Sequence, residues 1–132
     1  MGDQVICRRE ENVCELVLNR PQRGNALSQD MVRTLDGLFR DCLANGARLI
    51  VFRGEGKHFC TGFDLSDIST ETDAALLLRF VDIEKLLQRI YLSPVPTLAV
   101  GTGRCFGAGA DLFLPCSQRI AAKGSSYTFP GP

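Results

Sequence analysis

The 132-residue chain carries 15 Lys+Arg against 15 Asp+Glu, a formal net charge of zero, and 45% of its residues are hydrophobic. That length holds one domain rather than two, and the balance is that of an ordinary globular protein. The even charge, the absence of a basic tract and the lack of a long apolar run argue against nucleic acid, anionic lipid and membrane-spanning roles.

The opening MGDQVICRREEN is polar and mixed in charge. It lacks the apolar centre of a signal peptide, and its acids speak against a transit peptide, so the expected compartment is the cytoplasm rather than the mitochondrial matrix. The cysteines, at 7, 14, 42, 60, 105 and 116, form no CxxC pair, and His58 is the single histidine. This pattern predicts free thiols in a reducing compartment and no metal site.

VCELVLN, residues 13–19, alternates and is rich in β-formers, which predicts a strand. Pro21 and Gly24 then break the chain into a loop. Ser28 is placed to cap a helix that carries Asp30 in its first turn, with Met31, Leu35, Leu38, Phe39 and Cys42 on one face and an end near Asn45-Gly46. RLIVFRG, residues 48–54, reads as a strand buried on both faces. GEGKHFCTGFDLSDI is a long irregular loop. A second helix is expected over 72–92, with Leu76, Phe80, Ile83, Leu87 and Ile90 as its apolar stripe. SPVPTLAVG enters a third strand through prolines. ADLFLPCS reads as a short helix and QRIAA as a further strand. This alternation predicts an α/β fold with a mostly parallel sheet flanked by helices.

The third strand ends in a burst of glycine: Gly101, Gly103, Gly107 and Gly109. The spacing is GxGxxxG, because Phe106 stands where the dinucleotide fingerprint wants its last glycine. Residues 120–129 also lack the acid that such a site places on the next strand. A glycine turn that merely lets a helix pack close to a strand is the plain alternative. A second glycine loop, GKHFCTGFDLSD with Gly62, also follows a strand. Two such loops could aim two backbone N–H groups at one oxygen, the arrangement of an oxyanion hole.

NRPQRGNALSQDMV, GKHFCTGFDLSDIS and PVPTLAVGTGRCFGAGADLFLPCSQRIAA resemble, in order and spacing, the enoyl-CoA hydratase/isomerase (crotonase) family. The resemblance runs from about Val13 to the end of the chain. It implies a crotonase-like ββα spiral, here a single domain over 1–132 that is truncated at its C-terminal side. It also implies an acyl-CoA thioester as substrate, with coenzyme A arriving as part of that substrate and no separate cofactor. A homo-oligomer is implied too, a trimer or a dimer of trimers.

The family polarises the thioester carbonyl between two peptide N–H groups, which fall here on Phe63 and Ala108. The enolate so stabilised is the step from which hydration, isomerisation and other chemistries diverge. Phe63, Asp64, Leu65 and Ser66 match residues along the coenzyme A path, and Arg23 and Ala26 border the same groove. Phe63 has a second reading as a core aromatic after a turn. The first family glutamate falls on Asp111, one methylene shorter, and the second falls on Gly131, which has no side chain. Asp111 is therefore the one ionisable group expected near the thioester α-carbon, unless it only favours the start of its helix. The runner-up reading is an acyl-CoA binder without turnover, or a scaffold relic of the fold.

Three smaller expectations follow. Pro115 removes the N–H that would bond the Asp111 carbonyl, so the helix should kink or stop beside it. Cys60 is a packed small residue rather than a nucleophile, and His58 a surface loop residue. Faces that the longer relatives cover should be exposed, so that this chain alone is poorly soluble or leans on partner chains.

Overall fold

Two side-chain caps set the long helices where the sequence places them. The Ser28 hydroxyl accepts the Met31 N–H at 3.1 Å and starts α1 (Gln29–Ala44), and Thr72 accepts the Ala75 N–H at 3.1 Å and starts α2 (Asp73–Tyr91). Each cap satisfies one of the orphan donors of a first helical turn. The structure, a computed structural model, describes residues 3–66 and 68–129. Gly131, the position of the second family glutamate, lies outside the described residues.

The main sheet has the order β1 (Val5–Glu10), β2 (Val13–Leu18), β3 (Leu49–Gly54), β4 (Thr97–Gly101) and β6 (Gln118–Ala121). β1 is antiparallel to β2, and every other pair is parallel. A small parallel ribbon joins β5 (Arg104–Phe106) to β7 (Ser126–Thr128), and the short α3 (Ala108–Phe113) follows β5. The core lies between sheet and helices. Leu16 and Ile50 from the sheet and Leu35 and Phe39 from α1 are fully buried, and the Phe39 and Phe52 rings lie 5.8 Å apart.

Four expectations need correction. The polar opening segment forms β1, because an edge strand with one partner keeps polar side chains in solvent while its backbone is paired. β3 is not buried on both faces: Ile50 and Phe52 are, but Val51 on the opposite face is half-buried. The buried face of α2 is Arg79, Ile83, Leu86 and Ile90, whereas Phe80 from the expected stripe is 57% exposed. The stripe is rotated because Arg79 turns inward to bond two carbonyls. α3 begins two residues before the expected start, at Ala108, since Gly107 is its cap.

The helix does stop ahead of Pro115. α3 ends at Phe113, and the last amide bond runs from Leu114 N–H to the Ala110 carbonyl at 3.1 Å. Continuing would press the proline ring against the Asp111 carbonyl.

Candidate functional site

Loops leave the carboxyl ends of β2, β3 and β4, three adjacent parallel strands, on one edge of the sheet. In open α/β sheets that edge is where ligands bind. The β3 and β4 loops are fastened to each other by backbone. The Phe59 N–H donates to the Thr102 carbonyl at 2.8 Å, and the Phe106 N–H to the Cys60 carbonyl at 3.0 Å, so that Cys60 and Cys105 pair as a parallel bridge. His58 adds a side-chain link, its Nδ1 accepting the Arg104 N–H at 2.9 Å. It is half-buried in its loop, and there it fastens the two loops together.

Two residues past that bridge, both segments turn on glycine. Gly62 has φ 115° and Gly107 φ 56°, conformations that side chains avoid. The turns meet: a Cβ built on Gly107 would lie 4.0 Å from the Gly62 Cα, and one on Gly62 would lie 3.3 Å from the Phe106 carbonyl oxygen. The residues that follow are Phe63 and Ala108. The structure thus brings into contact the two glycine turns that precede the amides singled out from the sequence.

Their hydrogen bonding leaves both amides unclaimed among the described residues. Leu27 pairs with the Phe63 segment through its own N–H to the Gly62 carbonyl and through the Asp64 N–H to the Leu27 carbonyl, each 2.8 Å. Strand alternation then turns the Phe63 amide away from Leu27. Ala108 is the first residue of α3. Its cap is a glycine with no side chain to offer, and the first helical bond is Asp111 N–H to the Gly107 carbonyl at 3.0 Å. Gly109 is required by a different constraint: a Cβ there would stand 2.2 Å from the Cys60 carbonyl oxygen. The helix can rest on the first loop only if that position is bare.

Asp111 stands one turn beyond Ala108 and is exposed. With Leu114 and Pro115 it forms one wall of a groove of ≈ 420 Å³ whose other wall is Glu84, Leu87, Gln88 and Tyr91 of α2. Burial, then the facing Glu84 carboxylate, raises its carboxyl above the ordinary range. Two other hollows, along β1, are lined by residues of β1, β2 and α1 and touch neither glycine turn.

The remaining expected site residues divide. Leu65 and Ser66 are exposed beside Phe63, as a binding path needs. The Asp64 side chain points into a structural cluster, its carboxylate on Arg20 at 3.0 Å and on Arg23 at 3.4 Å. The Ser66 backbone N–H, then its hydroxyl, then Arg20 hold that carboxyl well below the usual carboxylate range, with burial opposing them. Arg23 is half-exposed with one end on Asp64, and half-buried Ala26 lends its carbonyl to Arg20 at 2.9 Å. Both therefore border the Phe63 loop. The Phe63 ring is partly core: it meets Phe80 edge-on at 5.5 Å between centroids. Cys60 is fully buried, and that burial pushes its thiol up to about 12, unfit for nucleophilic work.

Sequence reasoning missed two residues that shape the site. Asn25 is buried at φ 58°; its amide donates to the Glu55 and His58 carbonyls at 2.9 and 2.7 Å, and its oxygen accepts the Arg20 N–H at 2.7 Å. Arg79 donates to the Asp64 carbonyl at 2.7 Å, the Leu27 carbonyl at 3.3 Å and Glu71 at 2.8 Å, with its guanidinium 5.4 Å from the Phe63 ring centre. A charged residue at helical spacing inside an apolar stripe was the available signal for Arg79.

The Asp64 cluster carries a pH prediction. Asp64→Asn keeps an acceptor for the Ser66 N–H but removes the charge facing Arg20 and Arg23, and should cost about 2 kcal/mol at pH 7. A depressed folded-state pKa stabilises above the unfolded value of about 4 and is lost on acidification below it. Urea midpoints of the two proteins should therefore differ most at pH 7 and less at pH ~3, the gap closing only further down as the folded carboxyl itself protonates. Equal gaps at both pH values would remove Asp64 from the account.

Comparison with known proteins gives one consistent answer. The family model for Enoyl-CoA hydratase/isomerase matches residues 8–132. The enoyl-CoA hydratase ACTT6 of Alternaria alternata is 36% identical over 120 residues, covering 90% of this chain and 39% of its own. The solved structure of an enoyl-CoA hydratase from Mycobacterium smegmatis superposes with a TM-score of 0.89 at 30% identity, covering 96% of this chain and 50% of that one. Human enoyl-CoA hydratase domain-containing protein 3 gives 0.88 at 27%, covering 98% and 52%. The chain spans about half the length, or less, of the curated relatives it matches. The fold it shares with these structures is the crotonase-like arrangement that the sequence suggested.

Proposed function

Because the chain belongs to the enoyl-CoA hydratase/isomerase family, we propose that its two glycine turns bind the thioester carbonyl of an acyl-CoA and stabilise the enolate derived from it. The observation that supports this reading is the contact of the Gly62 and Gly107 turns, each followed by an amide that no described residue claims. The Phe63 and Ala108 N–H groups hold the oxygen as negative charge develops on it. Donors fixed by backbone need no reorganisation at that moment, which is why removing one from such a hole costs about 3 kcal/mol.

Asp111, one turn along α3 from Ala108, handles the proton at the α-carbon. Phe63, Asp64, Leu65 and Ser66, with Arg23 and Ala26, border the path of the coenzyme A portion; Asp64 contributes through the Arg20 pair that sets the loop. Coenzyme A comes and goes with the substrate, so no separate cofactor enters. Residues 1–132 form the N-terminal portion of one domain in this reading. Homo-oligomeric association, as a trimer or a dimer of trimers in the cytoplasm, completes it. The fully exposed edge strand β6 supports that last element.

Incubating the intact protein in D2O with a saturated acyl-CoA tests the reading. The expected result is saturable binding together with deuterium incorporation at the α-carbon. Binding without exchange would favour a carrier role, the reading that glycine at position 131 speaks for. No binding would leave only a structural role for the fold.

A further inference from the structure

α2 carries two faces. One packs into the core; the other, at positions 77, 80, 84, 88 and 91, looks outward at helical spacing. On that outer face Phe80 touches Phe63, which bears the first amide of the proposed hole. One turn on, Glu84 faces Asp111 across the groove between α2 and α3. Asp111 is in turn one helical turn from Ala108, which bears the second amide. The order along both helices is therefore the same: hole first, carboxylate next.

Neither carboxylate has a cationic partner among the described residues. Glu84 accepts one hydrogen bond, from its own helix neighbour Gln88 at 3.2 Å, and the groove around the two acids is otherwise walled by Leu87, Leu114, Pro115 and Tyr91. Six other acids, Glu15, Asp36, Glu55, Asp64, Glu71 and Asp82, do bond to arginines. The two carboxyls thus face one another across one groove, within reach of a single small molecule held between them.

We propose that Glu84 is the second carboxylate of this site, acting with Asp111 to add water across the double bond of an enoyl-CoA. The inference rests on the thioester-binding reading above. Glu84, ionised, takes a proton from water as the water oxygen bonds to the β-carbon. The π pair moves to the α-carbon and on to the thioester oxygen, where the two amides hold it. Asp111, protonated, then gives its proton to the α-carbon as the carbonyl re-forms. Water has supplied one H and one OH, and the two carboxyls still hold one proton between them. The glycine at position 131 is then no obstacle to hydration, because the missing carboxylate is supplied from α2 instead.

The test follows two readouts on the intact protein: loss of the conjugated-thioester absorbance of a short 2-enoyl-CoA, and α-deuterium exchange of a saturated acyl-CoA. Glu84→Gln should lower hydration at least about tenfold more than it lowers exchange. Asp111→Asn should lower both, and Glu84→Asp should recover part of the hydration lost. Hydration by Glu84→Gln at the wild-type rate overturns the inference while leaving the binding reading intact, and so does a wild type that exchanges but does not hydrate. A wild type that neither binds nor exchanges overturns the binding reading, and this inference with it. Glu84 is exposed, so circular dichroism should report an intact fold in each Glu84 variant.

Discussion

Ala108→Pro is expected to lower α-proton exchange and any enoyl-CoA turnover by about 100- to 1000-fold, the loss seen when one donor is taken from an oxyanion hole. The substitution is chosen for what it leaves alone. Ala108 is the first residue of α3 and donates no bond to the helix. Proline is well tolerated at that position, since its fixed φ suits a helix start and its missing N–H is an orphan there anyway. The variant should melt within a few degrees of wild type while losing the reaction. A variant that folds and still exchanges at the wild-type rate would show that the Ala108 amide is not a donor. Ala108→Gly, which keeps the N–H, is the matched control and should retain the rate.

Arg79→Ala is expected to cost about 3 kcal/mol of stability, read as a shift of the urea or thermal midpoint. The side chain is 8% exposed, and its removal orphans the Asp64 carbonyl, takes one of two donors from the Leu27 carbonyl and strands the Glu71 carboxylate. Those two carbonyls belong to the paired segments that fix the orientation of Phe63, so the loss should also loosen the first amide. Arg79→Lys restores a charge but not the fork that reaches three acceptors, and should recover less than half of the loss. A destabilisation below about 1 kcal/mol would place Arg79 among ordinary surface charges.

What could be read from the sequence was what is local. α1 announces itself through Ser28 and a stripe of Met31, Leu35 and Phe39, because cap and period are written within a few residues of each other. Each glycine turn was legible by itself for the same reason. Their meeting could be raised only as a possibility and through the family resemblance, since it depends on the Cys60–Cys105 bridge, two residues in no pattern with each other. Asp64 gave no sign that its partner would be Arg20, 44 positions earlier. Arg79 looked like a blemish in an apolar stripe because a helix pattern shows that a side chain points inward but not which carbonyls await it. β1 was hidden by its composition: an edge strand needs a neighbour, not hydrophobicity, and the neighbour β2 lies across a two-residue turn. β5 and β7 are three residues each, too short for any period to register.

The pairing of Cys60 with Cys105 has a bearing on how such a protein can diversify. It joins the two glycine turns of the proposed carbonyl-gripping site through main chain, at the roughly 4.8 Å pitch of neighbouring strands. Side-chain replacement at Phe63 or Ala108 alters shape and polarity around the oxygen while the grip itself survives; proline is the exception. Lineages are thereby free to exchange the acids and apolar walls that surround the grip, and so to change reaction, without rebuilding the step that every such reaction shares.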